Sequence, residues 1–101
     1  MTREEALRTL ADCRKAIDTI DLRLLELLNE RTRVVEEIGR VKRSMELPIY
    51  EPKREDEVFR NVTDNNGGPL ANDAVRRVFE RIIDEMRVVQ RTRMEHAERN
   101  Q

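Results

Sequence analysis

Apolar residues recur along the first half of the chain at steps of three, four or seven: Leu10, Ile17, Leu24, Leu28, Val35, Ile38 and Met45. That spacing collects them on one face of a helix with about 3.6 residues per turn. Thr2-x-x-Glu5 has capping-box spacing at the start of the run, and no Pro occurs before position 48. The pattern predicts one long helix over 3–46. The segment Leu47-Pro48-Ile49-Tyr50-Glu51-Pro52 breaks it, because each Pro lacks a donor and pushes its predecessor out of helical geometry. Pro52 suits the first turn of a second helix over 52–64, with Val58, Phe59 and Val62 facing inward. Asn65-Asn66-Gly67-Gly68-Pro69 reads as a turn. A third helix follows over 72–97 with Val75, Phe79, Ile82, Met86 and Val89 as its stripe, and the polar last residues form a frayed tail. No repeat, linker or second domain interrupts this order, so residues 1–101 read as a single domain.

Length turns that pattern into an assembly. A helix over 3–46 is about 66 Å long, whereas a compact globule of this size has a radius of gyration of about 13 Å. The second and third helices are together shorter than the first and cannot cover its whole apolar face. An intertwined homodimer solves the problem, isologous two-fold pairing being the commonest closed assembly.

Composition agrees with helices. Leu, Ile, Val and Phe make 26 of the 101 residues, above the roughly 20% floor typical of disordered chains. Gly and Pro number three each, and the aromatics are Tyr50, Phe59 and Phe79 alone. Few turn formers with much Ala, Leu, Glu and Arg exclude a β-sandwich, a disulfide scaffold and a collagen-like chain. The longest apolar runs are pairs, far short of the roughly 18 residues of a membrane span. Residues 1–10 carry four charges and no apolar core, so no secretory signal is expected there. The single cysteine, Cys13, fits a reducing compartment. The expected setting is cytoplasmic, with no membrane partner.

Charge adds chemistry. The net charge of −1 gives no basic field for nucleic acid, but the cations divide into 17 Arg and 3 Lys. Arg makes planar, two-pronged bonds to carboxylates, and Lys acts as a point charge. Written in heptads, the seam of the first helix falls at 10, 14, 17, 21, 24, 28, 31, 35, 38, 42 and 45, and four of these positions hold Arg14, Asp21, Arg31 and Lys42. Charges on a buried seam are costly unless paired. Polar seam residues can specify register, and Asp21 can pair with Arg14 across a dimer. One Asp does not neutralise three cations, so an external anion is expected to complete the site. Arg54 and Glu55 follow the Pro break, and Gln90 lies one residue off the stripe of the third helix. Several cations, one carboxylate and one amide suit a small polar dicarboxylate.

Other chemistries find no residues. The only histidine, His96, lies in the expected tail, so no Ser-His-Asp or Cys-His set forms. No Cys/His cluster has zinc spacing, and Gly67-Gly68 lacks the Lys-Ser/Thr of a phosphate-binding loop. Neither a cofactor nor a metal is expected, which leaves catalysis to positioning and electrostatics.

Taken together, these residues resemble the all-α, AroQ-type chorismate mutases over nearly the whole chain. The likeness rests on Arg14-x6-Asp21, Leu27-Leu28-Asn29-Glu30-Arg31, Ile38-Gly39-Arg40-Val41-Lys42, Pro48-Ile49-Tyr50-Glu51-Pro52-Lys53-Arg54-Glu55, Asn66-Gly67-Gly68-Pro69-Leu70 and Phe79-x10-Gln90. The resemblance implies a dimer of three-helix chains with interlocked first helices, converting chorismate to prephenate on the route to phenylalanine and tyrosine. It further implies that Arg14 of the neighbouring subunit, Arg31 and Arg54 grip the two substrate carboxylates. Lys42 and Gln90 would donate to the ether oxygen, making them catalytic residues with Arg31. Glu55 would accept from the ring hydroxyl, and Glu51, where relatives often have Asp, would help at the pocket edge through its backbone amide. Met86 stands where some relatives place a substrate-binding Ser, so that contact is lost or supplied by water, and Met86 otherwise reads as core. Two other readings accompany this one: an isochorismate–pyruvate lyase, which resembles the same fold, and a helical regulatory domain that partners another shikimate-pathway enzyme. Glu51-x-x-Arg54-Glu55 favours the mutase over the lyase.

Overall fold

The computed structural model describes residues 1–99, apart from the side chains of 97 and 98. It contains α1 (Arg3–Ser44), α2 (Pro52–Asp64) and α3 (Asn72–Arg99), and no strand among the described residues. The all-α, three-helix architecture is as the apolar pattern predicts. None of these helices is long and apolar enough to cross a membrane.

The predicted capping box closes the start of α1. The Glu5 amide donates to Thr2 Oγ1 at 3.1 Å, and the Thr2 amide faces Glu5 Oε2 at 3.4 Å. At its other end α1 stops two residues before the predicted 46. Glu46 adopts a positive φ of 57°, the Leu47 amide donates to the Lys42 carbonyl at 2.7 Å, and the Glu46 amide donates to the Arg43 carbonyl at 3.2 Å. Those two bonds define a Schellman motif, with Glu46 in the left-handed position usually held by Gly. The periodicity of apolar residues carries no signal for such a cap, because the residue there is Glu.

Pro52 opens α2 as predicted, behind Glu51. Between α2 and α3 the Asn66 side chain organises the turn. Its Oδ1 accepts from the Gly68 amide at 3.0 Å, while its Nδ2 donates to the Leu70 carbonyl and to Asn72 Oδ1, both at 2.7 Å. Gly68 takes φ 75° and precedes a cis bond to Pro69. α3 runs to Arg99, two residues past the predicted 97, so His96 is helical. What remains of the predicted frayed tail, residues 100 and 101, lies outside the described residues.

The chain divides into two compact units, residues 1–33 and residues 34–101. In the first, every residue from 1 to 30 is exposed, and the seam residues Leu10, Ile17, Leu24 and Leu28 are between 37% and 55% exposed. In the second, α2 packs on α3, and the core consists of Val35, Phe59, Val75, Ile83 and Met86. The inward face of α2 is as expected, with Phe59 buried and Val58 and Val62 half-buried. On α3 the stripe turns slightly from the predicted one. Ile83 is buried where Ile82 was expected, and Phe79 and Val89 are half-buried. Ile38 and Met45 of the predicted α1 seam are exposed, while Val35, Gly39 and Lys42 are buried. The positions 35, 39 and 42 step by four and three, which is the inner face of this section of α1.

Candidate active site

Two polar side chains are buried with the core: Lys42 in the last turn of α1 and Gln90 on α3, each 8% exposed. The Lys42 ammonium donates to the Ile49 carbonyl at 3.0 Å and to Gln90 Oε1 at 3.4 Å. It also pairs with Glu51 Oε1 at 2.8 Å. An ammonium has three protons and accepts nothing, so each N–H faces one oxygen. Burial of that charge would be prohibitive without a counter-ion, and the half-exposed Glu51 carboxylate supplies it.

Local structure explains how these groups meet. The Schellman motif reverses the chain directly after α1, which returns Ile49 and Glu51 to the helix end they follow. Glu51 stands at the N-cap of α2 but makes no side-chain capping bond there, because its carboxylate is committed to Lys42. Close approach of α1 and α3 does the rest. A Cβ placed on Gly39, one turn before Lys42, would stand 3.6 Å from Gln90 Cγ. Because Lys42 can only donate, Gln90 turns its carbonyl oxygen toward the ammonium. Its Nε2 then faces away and makes no hydrogen bond among the described residues. A charged donor and a free amide donor therefore sit side by side in a buried place.

The other predicted residues differ in burial and in partners. Glu55, in the first turn of α2, has a side chain 19% exposed and is gripped by Arg87 of α3. Its neighbour Arg54 turns about 100° away around the helix, is 67% exposed, and pairs with Glu57 at 3.2 Å. Met86 is buried one turn before Gln90 on the same helix, as a core residue would be. Arg14 is exposed and Arg31 half-buried; both belong to the compact unit of residues 1–33. None of the predicted site residues lines the cleft of about 280 Å³ bounded by Glu36, Arg40, Arg43, Arg93, Met94 and His96.

Arg87 was not singled out by the apolar pattern. It lies off the α3 stripe, one of many arginines, and its partner is 32 positions away. The available signal was its spacing, since a residue three before Gln90 shares that face of the helix. Among the described residues no group of three or more His, Cys, Asp or Glu could hold a metal ion.

Comparison with known proteins follows the same residues. The family model for chorismate mutase type II matches residues 13–91. A bifunctional chorismate mutase/prephenate dehydratase of Neisseria gonorrhoeae is 42% identical over 78 residues, covering 77% of this chain and 21% of its own length. The chain thus spans about a fifth of the length of such curated relatives. Among solved structures, a chorismate mutase of Thermus thermophilus superposes with a TM-score of 0.81 at 35% identity, covering 82% of this chain and 94% of that one. A Helicobacter pylori chorismate mutase in complex with prephenate also gives 0.81, at 26% identity over 87% of this chain and 96% of its own.

Proposed function

Because the chain belongs to the chorismate mutase type II family, we propose that it rearranges chorismate to prephenate, with residues 1–101 acting as one mutase domain in a homodimer. The observation that carries this reading is the buried Lys42–Gln90 pair. Rearrangement breaks the ether C–O bond and forms a C–C bond within one molecule, and negative charge gathers on the ether oxygen as the bond breaks. Lys42 Nζ and Gln90 Nε2 are donors of the required kind for that oxygen. Held in place before the reaction, such donors gain strength as the charge develops, and one is typically worth about 10²–10³ in turnover.

The rest of the work is selection of the reactive conformer, in which the enolpyruvyl arm folds over the ring. Arg31, Arg54 and Arg14 of the second subunit suit the two carboxylates, because each guanidinium can make a two-pronged bond. Arg54 is exposed and held only by Glu57 across an open helix surface, so it can turn to an incoming anion at little cost. Glu55 accepts from the ring hydroxyl. Glu51 lends its backbone amide at the pocket edge, and its carboxylate serves as counter-ion to Lys42 while the site is empty. Met86 contributes packing, and water or nothing takes the place of the Ser donor. The exposed, lone Cys13 suits a reducing cytoplasm, and another shikimate-pathway enzyme is a fitting partner.

Purified protein incubated with chorismate and a chelator should yield prephenate, identified by chromatography. Absence of prephenate from correctly folded protein, or release of pyruvate from isochorismate instead, would overturn the reading.

A further inference from the structure

One side chain ties together three of the segments around the buried pair. Arg87 Nη2 donates to Glu55 Oε1 at 3.1 Å, and Arg87 Nε stands 3.0 Å from Glu55 Oε2. The same Nη2 reaches Asp84 Oδ1, one turn earlier on α3, at 3.0 Å. The guanidinium also lies 5.4 Å from the centre of the Tyr50 ring, in the segment whose neighbours Ile49 and Glu51 both meet Lys42. Thus α2, α3 and the connection before α2 converge on one side chain, 30% exposed. The second prong is incomplete. Nε is buried and within ion-pair distance, but it is misaligned and makes no hydrogen bond. A small rotation of the Glu55 carboxylate would complete the fork.

We infer that Arg87 is a positioning residue for the reaction: it holds the Glu55 carboxylate in the orientation that receives the substrate hydroxyl. This rests on the proposed mutase reading and on the role given there to Glu55. A carboxylate at the start of a helix has several rotamers, and most do not present a lone pair in one chosen direction. A planar guanidinium that donates to one oxygen and lies at ion-pair distance from the other restricts the carboxylate's orientation, and leaves each oxygen a further lone pair for a third partner. A Lys at the same place would keep the charge and lose the orientation. Asp84 and Tyr50 in turn fix the guanidinium, so the carboxylate is held from α3 instead of following the motions of α2.

The test is a double-mutant cycle on the full chain, with chorismate as substrate and prephenate as the measured product. Positioning acts on a contact made in the ground state as well as the transition state, so it appears in KM. Arg87→Ala and Arg87→Lys should each raise KM about ten-fold and leave kcat within about three-fold. In the Glu55→Ala background, Arg87→Ala should add almost nothing, because the group it positions is gone. Effects that multiply would assign Arg87 to helix packing alone and overturn the inference, as would an unchanged KM in both Arg87 variants. Glu55→Ala with wild-type kinetics would instead remove the role of Glu55, and that of Arg87 with it. Should Arg87→Ala lose its helical circular dichroism, Arg87→Lys carries the cycle, since it keeps the pairs to Asp84 and Glu55 as simple charges.

Discussion

Lys42 is a charge that the core tolerates only because three oxygens surround it. Replacing it with Ala removes the charge, the Ile49 bond and the partner of Gln90 together. Removing one partner of a buried pair is costly when the other charge stays buried, but Glu51 is half-exposed and can turn to water, so the structural cost is modest. Turnover should fall by at least the 10²–10³ typical of a preorganised donor, with the helical circular dichroism retained. Unfolding of Lys42→Ala beside a stable Lys53→Ala would make Lys42 a packing residue. Gln90→Glu offers a finer check. An ionised Glu would face the developing oxyanion with like charge and bind Lys42 besides, so only its protonated form can donate. Activity of this variant should therefore rise as pH falls, over a range where the wild type stays level. An unchanged pH–rate profile would remove Gln90 from the ether oxygen. Lys42 stood out in the sequence because a charge on an apolar stripe is an anomaly within a single helix, whereas Gln90, one residue off its stripe, stood out only for its amide beside the inward cations. Arg87 did not, because a pair formed over 32 positions leaves no mark on the local pattern.

At the scale of elements, the end of α1 decides what surrounds Lys42. Two residues fewer of helix, and a left-handed Glu46, bring Ile49 and Glu51 back onto Lys42. Side chains in the left-handed region cost about 1–2 kcal/mol, and β-branched ones suffer most. Glu46→Gly should thus match or exceed the wild type by up to about 1 kcal/mol, the gain reduced by the greater freedom of Gly in the unfolded chain. Glu46→Val should lose about 1–2 kcal/mol. Urea denaturation resolves the two, and a Val variant as stable as the Gly variant would show that the turn does not constrain Glu46. Periodicity, Pro and Asn-Gly-Gly-Pro signals were enough to read three helices and both breaks, since each depends on residues near in sequence. The cap and the choice of Ile83 over Ile82 depend on backbone bonds and on the neighbour α3 packs against, which the stripe does not encode.

For the whole molecule, the exposed half of α1 is the outstanding physical problem. Residues 1–30 are all exposed, yet Leu7, Leu10, Ile17, Ile20, Leu24 and Leu28 are spaced as a core face would be. Leaving such a stripe in water forgoes roughly 25 cal/mol for each Å² that could be buried. A second copy presenting the same stripe would cover it, and two-fold symmetry would need no further surface. It follows that the protein should sediment as a dimer at micromolar concentration, and that Ile17→Asp with Leu24→Asp should give a monomer without mutase activity. Composite sites make a stronger demand. If Arg14 serves the pocket of the other subunit, Arg14→Ala and Lys42→Ala chains are each inactive alone but complement when mixed. A mixed dimer then holds one site lacking both groups and one site lacking neither. After full random exchange half the dimers are mixed, so about a quarter of the wild-type sites should return. No recovered activity after exchange confirmed by mass spectrometry would return Arg14 to its own subunit's pocket or to the seam, and the second copy would then serve stability alone.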